Sequence, residues 1–357
     1  MYVKDALTKL CCSLSVLCFI HAIMGAKPMM NITVLVLVDD ELLLPGKSGF
    51  VAGAEDCHVV EVLRTMVNEV VVRSYTSVRS LLGLIDEIRP ALVFNLTEHS
   101  GGDRTKDSHI CAVIDLSGVP YTGTGPSGMM LCRDKALSKL VAAHEGFAAP
   151  RFFTVNASDP QLPSVLPLPL VVKPRFGDSS EGIHGTSLVR TRRALLKQIA
   201  AVRRTGWNAV ICEEYIPGRD IFVSIAARRV TAIREFIVGR DAPNAPRLVS
   251  AQFKHDQQYR RHWKIRSDFA QLSAEQRRKL NSLALRTFDA LSLRDYGRLD
   301  LRLTPTGEWF FLEANPNPAL VPLGKTFTGS GFGVSLRKVV TQIIKRAVHR
   351  KPEIWAP

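Results

Sequence analysis

The chain has 357 residues, 46% hydrophobic and 7% aromatic, with a formal net charge of +14 at neutral pH. That length can bury large cores in two or three domains, and the absence of any low-complexity tract excludes a disordered chain. The charge favours anionic partners. The basic residues are scattered, however, as Arg192-Arg193, Arg203-Arg204, Arg260-Arg261 and Arg277-Arg278-Lys279 rather than set in an aromatic-laced block, which argues against nucleic acid. Seven cysteines without a C-x-x-C spacing speak against zinc. Cys57, Cys111, Cys132 and Cys212 are expected to be buried thiols in a reducing compartment.

Residues 1–29 stand apart. Lys4 and Lys9 precede an apolar run from Leu10 to Ile23, and Gly25-Ala26 follows, as in a secretory signal. The run is short for a membrane span. A start at Met29 or Met30 is the other reading. From there, the β-branched run Asn31–Val38 predicts a buried parallel strand, Cys57–Asn68 a helix, Val70–Ser74 a strand, Val78–Ile88 a helix and Ala91–Leu96 a third strand. This βαβαβ rhythm predicts an open α/β domain over residues 30–125, which closes with a helix at Cys111–Gly118 and the turn VPYTGTGP. A second unit, 126–217, opens with a helix pair over Ser127–Glu145. Strands at Arg151–Val155 and Leu170–Lys173 follow, then the loop RFGDSSEGIHG, a helix at Thr191–Val202 and a strand at Ala209–Glu214. In the third unit, 218–350, Ile221–Ala226 and Ile233–Val238 read as antiparallel strands and Asp241–Arg266 as irregular. Ser273 is the expected cap of a long amphipathic helix ending at Leu291. Val334–His349 is a basic C-terminal helix.

Between those last helices lies YGRLDLRLTPTGEWFFLEANPNP, two strands joined by a Pro-Thr-Gly turn. Alternation puts Arg298, Asp300 and Arg302 on one face of the first strand and Leu299, Leu301 and Leu303 on the other. On the second strand Phe311, Glu313 and Asn315 are expected to share a face. A hairpin then gathers Asp300, Glu313 and Asn315 beside Arg298. These are hard oxygen ligands suited to Mg²⁺ carrying nucleotide phosphates, with a surface salt-bridge ladder as the plain alternative. Lys173 ends an apolar strand, and Gly177, Gly182 and Gly185 with Ser179-Ser180 form a loop whose amides and hydroxyls can approach a phosphate. No Gly-Lys-Ser/Thr follows, so this is not a P-loop; a solvated loop is its alternative. Glu213-Glu214, the Pro-Gly turn and Asp220 suit a hinge gripping adenine and ribose. Lys135, alone on its helix, reads by itself as solvent-facing.

Taken in order, PYTGTGP, RDKALSKL, VVKPRFGDSSEG, EEYIPGRD and GRLDLRL…FFLEANPNP resemble the ATP-grasp superfamily, and more closely its D-alanine–D-alanine ligase branch, over about Pro120 to Pro318. The resemblance implies a three-domain ATP-grasp architecture, α/β and α+β, with an N-terminal α/β substrate domain. It implies that Lys135 and Lys173 contact ATP phosphates, that Ser179, Ser180 and Gly182 belong to the covering loop, and that Glu213, Glu214, Ile216 and Asp220 hold adenine and ribose. Asp300, Glu313 and Asn315 would bind two Mg²⁺, or Mn²⁺, while Arg298 stabilises the acyl phosphate and oxyanion with Ser180 beside it. The expected enzyme is an ATP-dependent carboxylate–amine ligase acting on small amino acids or short peptides. The dependence on ATP implies a cytoplasmic chain, with membrane attachment only if residues 1–29 are a true anchor, and the family suggests a homodimer. Alternatives are an ATP-grasp phosphotransferase and a non-catalytic nucleotide-binding module.

The substrate half departs from the family. VDDELLLPGKSG, with Asp39, Asp40 and Glu41, stands where a Gly-Gly-x-Ser-x-Glu pattern is usual. Pro316-Asn317-Pro318-Ala319 replaces Thr-Ser-Pro-Gly, so Ala319 stands where a glycine amide helps hold the oxyanion. In the loop QFKHDQQYRRHWKIRS, Tyr259 and Lys264 are the candidates for the family's tyrosine-bearing loop. His99, Arg104 and His109 are further candidates facing substrate.

Overall fold

In the computed structural model of the chain, residues 30–350 are described, apart from 45–48, 52, 157–161, 166, 179, 241, 243–244 and 323–330. The leader 1–29, Ser179 and residues 323–330 therefore lie outside the described residues.

The chain first winds β1 (Met30–Leu37), α1 (Cys57–Arg64), β2 (Val67–Arg73), α2 (Val78–Ile88), β3 (Leu92–Asn95) and α3 (Asp107–Leu116) into a parallel sheet of order β2-β1-β3. β1 has no polar face because both its faces are covered. Val34 and Val36 pack toward Val59, Val60 and Leu63 of α1, while Leu35 and Leu37 pack toward Leu81, Ile85, Ile110 and Ile114.

The second layer comprises α4 (Pro126–Arg133), α5 (Lys135–His144), β4 (Phe152–Val155), β5 (Leu170–Pro174), β6 (Leu188–Val189), α6 (Arg192–Arg204) and β7 (Val210–Glu214). Its antiparallel sheet runs β4-β7-β5-β6, and Leu195, Ile199 and Val202 of α6 close its core. Asp134 separates the helix pair. Its carboxylate accepts from the Ala136 and Leu137 amides, capping α5, and from Arg175.

The third layer comprises β8 (Arg219–Ala226), β9 (Arg229–Ile237), α7 (Ala251–His255), α8 (Gln257–Trp263), β10 (Arg266–Phe269), α9 (Ala274–Ala290), β11 (Tyr296–Leu303), β12 (Trp309–Asn315) and α10 (Leu336–Val348). Its antiparallel sheet has the order β10-β9-β8-β11-β12. Leu280, Leu283, Ala284 and Phe288 of α9 cover one face, against Leu299, Leu301 and Phe311. The segment Asp241–Arg266, expected to be irregular, instead holds α7 and α8 and ends on the first residue of β10. Ser250 and Asp256 cap the two short helices through the Phe253 and Tyr259 amides, and Phe253, Trp263 and Ile265 bury against Phe222 and Phe236. The C-terminal helix α10 returns to the first sheet, with Val339, Val340, Ile343 and Ile344 in the core with Val59 and Leu63.

Cys111, Cys132 and Cys212 are buried as expected, whereas Cys57 is half-buried at the start of α1. Among the described residues no helix is long and apolar enough to cross a membrane.

Candidate active site

All eight residues of β11 are buried, so its charged face is not a solvated ladder. Leu299, Leu301 and Leu303 enter the core, and Arg298, Asp300 and Arg302 turn to the opposite side. β12 pairs Asn315 with Arg298 and Glu313 with Asp300, but Phe311 with Leu301; the register slips there, and Leu312 is the extra residue of a bulge. The bulge overturns one expectation. Phe311 does not share a face with Glu313 and Asn315 but packs in the core, 6.2 Å from the Phe147 ring.

The hairpin stands between two adjoining clefts. The first has about 740 Å³ of open space and is lined by Lys173, Ser180, Glu213, Glu214, Ile216, Asp220, Asp300 and Glu313. The second has about 870 Å³ and takes Arg298 and Asn315 through Ala319, with Glu98, Asp107, Arg133 and Asp178 opposite. Phe222 and Lys254 line both.

The Arg298 guanidinium grips Asp300 with both arms, Nε to Oδ1 at 2.6 Å and Nη2 to Oδ2 at 2.9 Å. Burial pushes the Asp300 carboxyl up, with Arg298 opposing. Burial would raise Glu313 too, but the ammonium groups of Lys135, Lys173, Lys254 and Lys139 hold it down to about 2. Lys135 lies 3.6 Å from Glu313, and its Nζ donates to the Gly177 carbonyl, tucking the lysine under the glycine loop instead of into solvent. Glu213 is buried between Lys139 at 2.7 Å and Lys173 at 3.0 Å, so its carboxylate fixes lysines. Glu214 pairs with Arg151 at the cleft margin, and Ile216 supplies an apolar wall. Asp220 is held 3.1 Å from Arg302.

In the loop, Ser180 has φ +64° and donates from Oγ to the Val249 carbonyl at 2.9 Å. Gly182 has φ +69°, and a side chain there would meet the Pro174 ring at 2.8 Å, so only glycine seats this turn.

Two lysines escaped the reading of the sequence. Lys139 is completely buried and donates to the Leu312 carbonyl at 2.5 Å, at the bulge itself. Its spacing of four from Lys135 was the available signal, since such residues share a helix face. Lys254 sits at the junction of the clefts, where burial and then Arg298 pull its ammonium down. It replaces Tyr259 and Lys264 as the residue this segment presents: Tyr259 packs edge-on to Trp263, and Lys264 ends α8 in a left-handed conformation.

A family model described as the D-ala D-ala ligase C-terminus matches residues 142–345, more than half of the chain. The chain belongs to the D-alanine–D-alanine ligase family of ATP-grasp enzymes. By family it is an ATP-dependent C–N ligase. It is 33% identical over 235 residues to the uncharacterized protein y4sG of Sinorhizobium fredii, an alignment covering 64% of this chain and 66% of that one. With the D-alanine–D-alanine ligase of Cupriavidus taiwanensis it shares 29% over 269 residues, 70% of this chain and 76% of the other. The fold matches the D-alanine–D-alanine ligase of Bacillus anthracis complexed with ATP, at a TM-score of 0.66 and 18% identity over 89% of this chain and 98% of that one. It also matches the VanG D-Ala:D-Ser ligase of Enterococcus faecalis, at 0.64 and 19%, over 88% of this chain and 99% of the other. These likenesses confirm the expected mixture of α/β and α+β layers in an ATP-grasp architecture.

Where this ligase-family chain departs from the family pattern, the first domain presents acids. Asp39 accepts from the Glu98 amide at 2.9 Å, and His99 Nε2 lies 2.6 Å from Glu41. Arg104 is tied to Glu98, and His109 lies exposed on α3. None of His99, Arg104 and His109 lines the second cleft; Thr97, Glu98 and Asp107 do. Burial raises Asp39 to about 6, and burial together with Glu98, Asp39 and Glu55 raises Asp56 to about 7. Both values exceed the ordinary 3.8 of the unfolded chain, so this stabilisation is full below about pH 4 and lost as pH rises through 6 to 7. The melting temperature should therefore fall between about pH 4 and about pH 7, and fall less in Asp56→Asn; equal slopes would contradict this.

Proposed function

We propose that this chain joins a small carboxylic acid to a small amine through an amide bond, by way of an acyl phosphate. The observation that carries the proposal is the β11–β12 hairpin as a shared wall. Asp300 and Glu313 face the first cleft, Arg298 and Asn315 face the second, and Lys254 reaches both. A phosphoryl group moving from nucleotide to carboxylate must cross at such a junction.

In this reading ATP occupies the first cleft. Glu214 and Ile216 border the base, Asp220 the ribose, and Lys135 and Lys173 the phosphates, with Glu213 positioning Lys173 and Lys139. Ser180 and Gly182, with Ser179 outside the described residues, belong to the covering loop. The Asp300, Glu313 and Asn315 oxygens fit Mg²⁺ or Mn²⁺. Glu313 stays ionised, the two carboxylates are opposite in register, and the buried Asn315 Nδ2 has no hydrogen-bond partner that would commit the amide elsewhere. Bound there, two such ions would neutralise phosphate charge.

A substrate carboxylate oxygen attacks the γ-phosphorus, and the bond to ADP breaks. The amine nitrogen then attacks the acyl carbon, sheds a proton, and phosphate leaves. Arg298 donates to the acyl phosphate and then to the oxyanion, and the Ala319 amide, at the lip of the second cleft, can add a second donor. No protein nucleophile is required.

The acids and prolines of the second cleft favour amino-acid-like substrates that need not both be D-alanine. A homodimer in the cytoplasm, where ATP is plentiful, completes the reading. Trapping tests it: hydroxylamine with ATP and the true carboxylate should yield the acyl hydroxamate. ADP with a stable phosphorylated product and no hydroxamate would favour the phosphotransferase. Lys254→Met should lower turnover about 10²-fold without lowering the melting temperature, because among the described residues its ammonium makes no ion pair; unchanged turnover would remove Lys254 from the site.

A further inference from the structure

A third cleft, with about 1820 Å³ of open space, lies where the start of α4 meets the ends of α9 and α10. It shares no lining residue with the two clefts of the candidate active site. Five Arg and Lys side chains line it against three Asp. Two of the carboxylates are already engaged: Asp289 pairs with Arg228 at 2.5 Å, and Asp295 pairs with Arg350 at 2.6 Å while accepting from the Gly123 amide. Arg294, Lys345 and Arg346 against the exposed Asp115 leave a positive excess of two.

Arg294 is fixed rather than mobile. Its Nη2 donates to the Tyr121 hydroxyl at 2.5 Å, its guanidinium lies over the Tyr121 ring, and its buried Nε has no hydrogen-bond partner. It rests against Gly125, the residue just before α4, where an added methyl group would collide with Nη2. That helix start has no side-chain cap, and Pro126 follows. Lys345 and Arg346 are exposed on the last turn of α10, Arg346 only 3.9 Å from Asp295 and Lys345 in no ion pair among the described residues. A rigid guanidinium, an uncapped helix start and the exposed cations Lys345 and Arg346, the latter only loosely paired, thus face one cavity and together favour a multiply charged oxyanion.

We infer that this cleft is a binding site for a small phosphate-bearing anion, separate from the ATP cleft. Inorganic pyrophosphate is the probe, titrated calorimetrically into the full chain. Lys345→Gln/Arg346→Gln should weaken one binding event about tenfold or more. Arg192→Gln/Arg193→Gln, the same loss of charge on the exposed start of α6, should leave that event unchanged. Arg294→Met should weaken the same event. Binding abolished entirely by competing ATP would overturn the inference, since the anion would then sit in the first cleft. Equal weakening by both double variants would also overturn it, since net charge alone would be at work.

Discussion

Asp300→Asn and Glu313→Gln should each lower turnover by about 10³-fold or more, a loss of ~4 kcal/mol of transition-state stabilisation. Each change keeps the shape of the side chain and removes one negative charge. The two carboxylates stand opposite in register, Asp300 buried and Glu313 half-buried, and Glu313 is held ionised by the lysines around it. If they hold cations that carry phosphates, no neutral isostere can replace them. If they only balance the lysines and Arg298, turnover should fall no further than stability does. Steady-state ADP release beside a thermal melt separates the two cases. Activity close to the unaltered chain in either folded variant would remove the metal assignment.

Glu213→Ala should destabilise the chain by about 3–5 kcal/mol, the largest effect on stability expected from any single change in the site. The carboxylate lies 2.7 Å from Lys139 and 3.0 Å from Lys173, and all three groups are buried. Without it two ammonium groups remain in a low-dielectric interior with Glu313, beyond ion-pair distance of either, as their shared counter-charge. Lys139 carries much of this burden, because burial already draws it down to about 8 against the pull of Glu213. The double variant Glu213→Gln/Lys139→Met should recover part of the lost stability, since it removes a cation together with the anion. Chemical denaturation of the single and double variants measures both numbers. A Glu213→Ala chain as stable as the parent would mean that solvent reaches the lysines.

Much of the hairpin was legible because period-2 alternation is a local property. Arg298, Asp300 and Arg302 could be set against Leu299, Leu301 and Leu303 from spacing alone. The bulge at Leu312 was not legible, since nothing local marks which residue of FFLEA is the extra one, and it sent Phe311 to the core. Lys139 and Lys254 were missed for a related reason: a lone lysine is ordinarily solvated, and only tertiary packing buries Lys139 beside Glu213 and sets the half-buried Lys254 where the clefts meet. The helices α7 and α8 hid behind a polar sequence whose capping residues, Ser250 and Asp256, were the signal to follow. The return of α10 to the first sheet is a long-range contact that no window of sequence reports. The departures at Asp39–Glu41 in the first domain and at Pro316–Ala319 in the second cleft were visible, but not that Thr97, Glu98 and Asp107 would line that cleft in place of His99, Arg104 and His109.

The central claim is amide formation driven by ATP, and the direct test is a product measurement. The purified chain is incubated with Mg²⁺-ATP and a panel of D- and L-amino acids, singly and in pairs, while ADP release and new masses are followed together. The account predicts that ADP appears in step with a new amide mass and that turnover needs both a carboxylate and an amine. Brisk ADP release with a phosphorylated acid as the final product, indifferent to any amine, would contradict it.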